Sequence, residues 1–192
     1  MGYELKIVLA STSPRRVKLL QEQGFSFTVA EPRSEESSSN PDPAMRAVEN
    51  AEAKVLSVSE EFPDSLIIGA DTIVYLEGEF LGKPACPEEA KAMLRRLSGK
   101  THSVFTGVAL LDTSNSVLVS DYKESHVMFL NLSQSTIDVY VKSGEPLDKA
   151  GAYAIQGKGA ALIDGYTGSW SNIVGLPTEI LCKMLRKKGY TA

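Results

Sequence analysis

Residues 5–24 spell out a strand, a loop and a helix in immediate succession, and that unit limits the folds open to the chain. Leu5-Lys6-Ile7-Val8-Leu9-Ala10 is a mostly apolar run of strand length that stops at the polar Ser11-Thr12-Ser13. Pro14 suits the first helical position behind a Ser13 cap, because its missing N–H would find no helical partner there. Val17, Leu19 and Leu20 then give the helix an apolar side, and Gly24 ends it. A strand that turns straight into a helix belongs to a layered α/β architecture.

The rest of the chain extends the pattern and then changes it. A polar, Ser- and Pro-rich loop covers 31–43, and a helix is predicted over 44–59 with Lys54 near its middle. Ser65 to Ala70 reads as a buried strand that stops at Asp71-Thr72 and resumes over 73–76, before a hairpin at Gly78. Pro87, Glu88 and Glu89 open a helix that closes on Arg95 and Arg96, charges that follow the helix dipole. Long strands are predicted over 102–112 and 117–129, and a helix runs from a Ser133 cap to Lys142. Residues 144–159 read as an extended loop, 160–163 as a strand, 165–168 as a turn and 169–174 as strand-like, with a last helix opened by Pro177. Helices and strands alternate early and hairpins dominate later, so the sheet should be mixed. The 192 residues suffice for one core-bearing domain, and no repeat or linker divides them, so residues 1–192 are read as one domain.

Composition removes several function classes. Twenty Lys and Arg against 24 Asp and Glu give a net charge of −4, which argues against a dedicated nucleic-acid binder but leaves room for a local basic pocket. Cys86 and Cys182 lie far apart and only two His are present, so a structural zinc site is not expected; reduced thiols suit the cytoplasm. The apolar run at Ile7–Ala10 is too short for a signal or a membrane span.

The common catalytic templates are absent. No Walker A loop, HExxH or GxSxG occurs, and Gly157-Lys158-Gly159 lacks the third glycine of a dinucleotide loop. His102 and His126 read as ordinary strand residues. Arg15 and Arg16 are more telling. Cations in the first turn oppose the helix dipole by roughly 0.3–1 kcal/mol each when exposed, and a bound anion would offset that cost. Lys54, Lys83, Lys149 and Lys158 add further cations in or beside loops, and carboxylates fall at Glu35-Glu36 and Asp71. Asp71 follows a buried apolar run, where an unpaired carboxylate is costly. It is either a cap or turn residue, or a base or metal ligand at the end of a strand, where α/β folds place ligands.

Several segments together resemble the Maf family of nucleoside triphosphate pyrophosphatases. They are Leu9 to Arg16, Gly69 to Val74, Gly82-Lys83-Pro84, Leu97 to His102, Phe105 to Ala109, Gly144 to Gly157 and Val174 to Pro177. They run along essentially the whole chain in the family's order and spacing. The resemblance implies a mixed-sheet, elongated α/β fold of the inosine-triphosphatase type, with two lobes around a central cleft. It implies metal-dependent hydrolysis of a nucleoside triphosphate to the monophosphate and pyrophosphate, in a cytoplasmic protein that is a homodimer in many members. It also implies roles. Ser11, Ser13 and the amides at the Pro14 helix start would cradle phosphate, and Arg16, Lys54 and Lys83 would neutralise it. Asp71 would accept a proton and hold Mg²⁺ or Mn²⁺ with Glu36, although the register there leaves Glu35 as the alternative. Arg15, Thr72 and Gln156 match the branch that prefers dTTP and UTP; the branch that prefers 7-methyl-GTP tends to carry Trp, Gln and Glu there. A different class remains open: a nucleotide-binding regulator of septum formation whose hydrolysis is incidental. Nucleotide-pool cleaning and division control are equally compatible with the sequence.

Overall fold

A computed structural model describes residues 6–34 and 37–190. Leu5, Glu35 and Glu36 lie outside the described residues. The elements are β1 (Lys6–Ala10), α1 (Pro14–Glu22), β2 (Phe27–Ala30), α2 (Pro43–Leu56), β3 (Ser65–Leu76), β4 (Glu79–Leu81), α3 (Pro87–Leu97), β5 (Thr101–Asp112), β6 (Val117–Phe129), α4 (Gln134–Lys142), β7 (Ile163–Thr167), α5 (Trp170–Val174) and α6 (Thr178–Lys187). The seven strands form one mixed sheet in the order β2-β1-β3-β5-β6-β7, with β4 paired to β3. β1 runs parallel to both β2 and β3, the arrangement that βα connections impose. β4 returns antiparallel on β3 through Glu77 and Gly78, whose φ values of 51° and 90° meet the demand of a tight hairpin for positive φ at both turn residues.

The chain divides into two compact units, with β3, β5 and β6 passing from one to the other. Unit one comprises residues 1–71, 106–123 and 175–192, and unit two comprises 72–105 and 124–174. Each has its own apolar core. Val8, Ala10, Ala51, Val55, Ile67 and Ala109 belong to the first. Leu94, Leu97, Val104, Phe129, Ile137 and Leu162 belong to the second.

Helix starts follow the local chemistry that the sequence announces. Asp42 caps α2 by accepting from Ala44 N at 2.8 Å and Met45 N at 3.2 Å, with Pro43 at the first position. Ser133 caps α4 through Thr136 N at 3.1 Å. Three expectations are corrected. β3 does not stop at Asp71 but runs unbroken to Leu76, because the carboxylate is paired on the spot rather than turned out to solvent. Residues 170–174 are helical rather than extended: Ser169 Oγ accepts from Asn172 N at 3.2 Å, a capping bond that outweighs the β-branched Ile173 and Val174. The last edge strand is Ile163–Thr167, while 157–162 form a 3₁₀ segment, because Glu145 claims the amides that open it.

Candidate functional site: a buried carboxylate clamped by one helix

Alternation along β3 puts Gly69 and Asp71 on the same face, two residues apart. A Cβ at Gly69 would lie 2.6 Å from the Ala51 carbonyl oxygen and 2.7 Å from Val55 Cγ1. A Cβ at Gly107 of β5 would lie 2.4 Å from the Ala47 carbonyl. The two glycines and the alanines of α2 thus let the helix backbone settle closer to the sheet than ordinary side chains permit. At that distance, side chains one helical turn apart on α2 can reach the short Asp71 side chain. Lys54 Nζ lies 2.6 Å from Oδ1, and Asn50 Nδ2 donates to Oδ2 at 2.9 Å. Asp71, Asn50 and Lys54 are 3%, 5% and 6% exposed. The cost of burying the charge is met by an ammonium on one oxygen and an amide on the other.

A second constellation closes the end of β1. The β1–β3 register sets Leu9 opposite Ile68, so Ser11 and Asp71 lie two and three residues further along parallel strands. This is the carboxyl end of the parallel strands, where α/β folds bind ligands. Ser11 is buried, and its Oγ accepts from Ser13 N at 3.2 Å and from Arg16 Nη1 at 3.4 Å. Arg16 Nε donates to the Gly175 carbonyl at 2.8 Å. Gly175 has φ 121°, a conformation reserved for glycine, and that turn aims its carbonyl at the guanidinium. The hydroxyl of Ser13 makes no capping bond at the start of α1, and Arg15 is half-buried in the first turn.

In unit two, Thr72 is half-buried on β3, Lys83 is exposed just beyond β4, and Gln156 is half-buried. Gly151 N donates to the Gly82 carbonyl at 3.0 Å, which fastens the segment leading to Gln156 to the one leading to Lys83. Glu145 organises the loop beyond. Its carboxylate accepts from Lys158 N at 3.1 Å, Gly159 N at 3.0 Å and the Tyr140 hydroxyl at 3.1 Å. Burial alone would raise its pKa, but these donors hold it below the usual carboxylate value. The Lys158 and Gly159 amides are therefore already engaged by a carboxylate. His102 Nε2 meets the Tyr153 hydroxyl at 2.7 Å among the rings of Phe129 and Tyr153. Burial pushes the His102 pKa down to about 4, with His126 adding to the shift, so the ring is neutral at physiological pH.

The site residues read from the sequence therefore fall into two sets. Ser11, Ser13, Arg15, Arg16, Lys54 and Asp71 lie in unit one, and Thr72, Lys83 and Gln156 in unit two. Glu35 and Glu36 lie outside the described residues. Asn50 was missed by sequence reasoning, although an Asn four residues before Lys54 on an otherwise apolar helix face was a readable signal.

The donor set bears on a metal ion. Among the described residues, no cluster of three or more His, Cys, Asp or Glu could form a resident cage. Each Asp71 oxygen has one protein donor in the contacts described, which leaves lone pairs for a further ligand. A hard cation that is held by one or two carboxylates and brings substrate phosphates with it fits these residues.

Residues 6–188 match the family model described as Maf-like protein, so the chain belongs to the Maf family. Among its relatives is a dTTP/UTP pyrophosphatase of Dictyoglomus thermophilum, 42% identical, with 97% of each chain covered. The dTTP/UTP pyrophosphatase of Symbiobacterium thermophilum is 46% identical, covering 96% of this chain and 95% of the relative. That of Caldicellulosiruptor saccharolyticus is 45% identical, covering 96% of both. Among solved structures, the Ham1 protein of Staphylococcus aureus superposes with a TM-score of 0.57 at 13% identity, covering 95% of this chain and 99% of that one, which supports the inosine-triphosphatase-like fold.

Proposed function

We propose that this chain is a nucleoside triphosphate pyrophosphatase that hydrolyses dTTP and UTP to the monophosphate and pyrophosphate. The observation that carries the reading is the buried Asp71, held by Lys54 and Asn50 at the carboxyl end of the parallel strands. A carboxylate set among donors and away from bulk water is suited to take a proton from an attacking water. Relatives at 42–46% identity that bear the name dTTP/UTP pyrophosphatase support the substrate class.

Asp71 orients the water and accepts its proton as the oxygen attacks the α-phosphorus. Lys54 pairs with Asp71 Oδ1, and once the carboxylate takes up the proton the ammonium is left to offset negative charge building on the phosphate. Arg16, set by Gly175 and Ser11, neutralises phosphate, and Ser11, Ser13 and the start of α1 supply hydrogen bonds to it. Lys83 adds positive charge for the pyrophosphate leaving group. Arg15, Thr72 and Gln156 choose the base, since a Gln amide both donates and accepts, as a uracil or thymine edge requires. Asp71, with Glu36 or Glu35, would hold Mg²⁺ or Mn²⁺, which supplies charge neutralisation on the triphosphate. The proposal extends to a cytoplasmic homodimer. No helix among the described residues is long and apolar enough to cross a membrane.

The test is a panel of UTP, dTTP, CTP, GTP and 7-methyl-GTP, with Mg²⁺, Mn²⁺ or chelator, read by pyrophosphate and orthophosphate release. Pyrophosphate from UTP and dTTP, lost with chelator, is expected. Orthophosphate as the main product overturns the reaction. Faster turnover of 7-methyl-GTP moves the chain to the other branch, and binding without turnover makes it a regulator.

A further inference from the structure

Asn50 does more than fill a helix position. Its Nδ2 donates to Asp71 Oδ2 at 2.9 Å, and its Oδ1 accepts from the backbone N–H of Ser38 at 3.1 Å. The two partners leave the amide no choice of orientation. A backbone N–H can only donate and an ionised carboxylate can only accept, so flipping the amide would set donor against donor and acceptor against acceptor. The Ser38 amide thus fixes which end of Asn50 faces Asp71. With Lys54 on Oδ1, the carboxylate is pinned through both oxygens.

The Ser38–Asp42 segment is itself fastened to α2. Ser38 Oγ donates to Glu49, Asn40 Nδ2 donates to Glu49 Oε1 at 2.8 Å, and Arg46 Nε donates to the Asn40 carbonyl at 2.7 Å. Glu49 and Arg46 tie that segment to the helix surface. Asn50 is the residue described here that binds both the segment and Asp71.

We propose that Asn50 is a positioning residue: it orients the Asp71 carboxylate and links that orientation to the seating of the Ser38 segment. The proposal rests on reading Asp71 as the proton acceptor. Asn50→Ala, Asn50→Leu, Asp71→Asn and the double variants Asn50→Ala/Asp71→Asn and Asn50→Leu/Asp71→Asn separate the two ideas. The Leu series restores lost volume and decides the matter if the Ala series folds poorly. Each is measured for kcat and KM on UTP per folded molecule, and for hydrogen exchange at the Ser38 amide.

Loss of one oriented donor should lower kcat about tenfold while KM stays within about twofold. Because Asn50 acts through Asp71, its removal from the Asp71→Asn background should cost less than about twofold more. Ser38 exchange should quicken in the Asn50 variants and stay slow in Asp71→Asn. Normal kcat in the Asn50 variants beside an inactive Asp71→Asn overturns this inference alone. Additive losses in the double variant do the same, since Asn50 would then act independently of Asp71. Near-normal kcat in Asp71→Asn overturns the reading of Asp71 and this inference with it.

Discussion

Asp71 and Glu145 are both carboxylates held inside the fold, the first buried and the second half-buried, and the two units hold them in opposite ways. Asp71 is held by side chains, the Lys54 ammonium and the Asn50 amide. Glu145 is held chiefly by the main chain, through the amides of Lys158 and Gly159, with Tyr140 as its third donor. Side-chain donors can shift when a substrate arrives. Backbone donors cannot leave without unfolding the loop they belong to. A Cβ at Gly157, where φ is 66°, would lie 2.9 Å from Glu145 Oε2, so that loop is also built closely around its carboxylate. On the proposed function, Asp71 reacts while Glu145 holds its loop.

The contrast breaks most visibly at Lys54. Lys54→Met leaves Asp71 buried beside a single amide, and removing one partner of a buried pair costs about 3–5 kcal/mol. Denaturant unfolding should register that loss together with a fall in turnover on UTP; a change below about 1 kcal/mol would mean that Asp71 does not depend on the pair.

Acid probes the other unit through His102. The His102 pKa is depressed to about 4 in the fold and returns to 6.5 on unfolding. Between those values the unfolded chain binds the extra proton, so stability rises with pH. The contribution is fully present above 6.5 and is lost as pH falls towards 4, where the loss reaches about 3 kcal/mol. His102→Phe, compared with wild type by thermal melts across that window, should lack this component of the slope. An unchanged slope would show that His102 is accessible to protons in the fold.

The smallest effect is on base choice. Gln156→Glu replaces an amide that can donate with a carboxylate that cannot, and a lost edge contact is worth about 1–3 kcal/mol, roughly 5- to 150-fold in selectivity. The kcat/KM for UTP and dTTP should fall against that for GTP. No change in the ratio would remove Gln156 from base recognition.

Much of this arrangement was legible in the residues, and the failures share a cause. The β1–α1 unit, the Ser133 cap and the long β5 and β6 strands follow from local chemistry and are found where the sequence puts them. Asp71 was singled out because a carboxylate beside a buried strand needs a reason, but its partners on α2 lie 17 and 21 residues away, and no spacing rule reaches that far. That distance also hid the continuity of β3. A charged residue ends a strand by default, and tertiary pairing removed the need. The partner of the Lys158 and Gly159 amides is hidden for the same reason, since the Glu145 carboxylate comes from 13 and 14 residues upstream. The helix over 170–174 is different, because Ser169 is a local cap and the β-branched residues masked it.

One paired measurement bears most directly on the contrast between the two carboxylates: kcat on UTP and unfolding free energy for Asp71→Asn and Glu145→Gln, side by side. Asp71→Asn should lose on the order of 10²-fold or more in kcat, because an amide cannot accept the proton. Glu145→Gln should lose about 1–3 kcal/mol of stability through weakened bonds to the loop amides, with kcat per folded molecule within about threefold of wild type. The contrary result, in which Asp71→Asn turns over normally and Glu145→Gln abolishes kcat while remaining folded, would contradict both assignments at once.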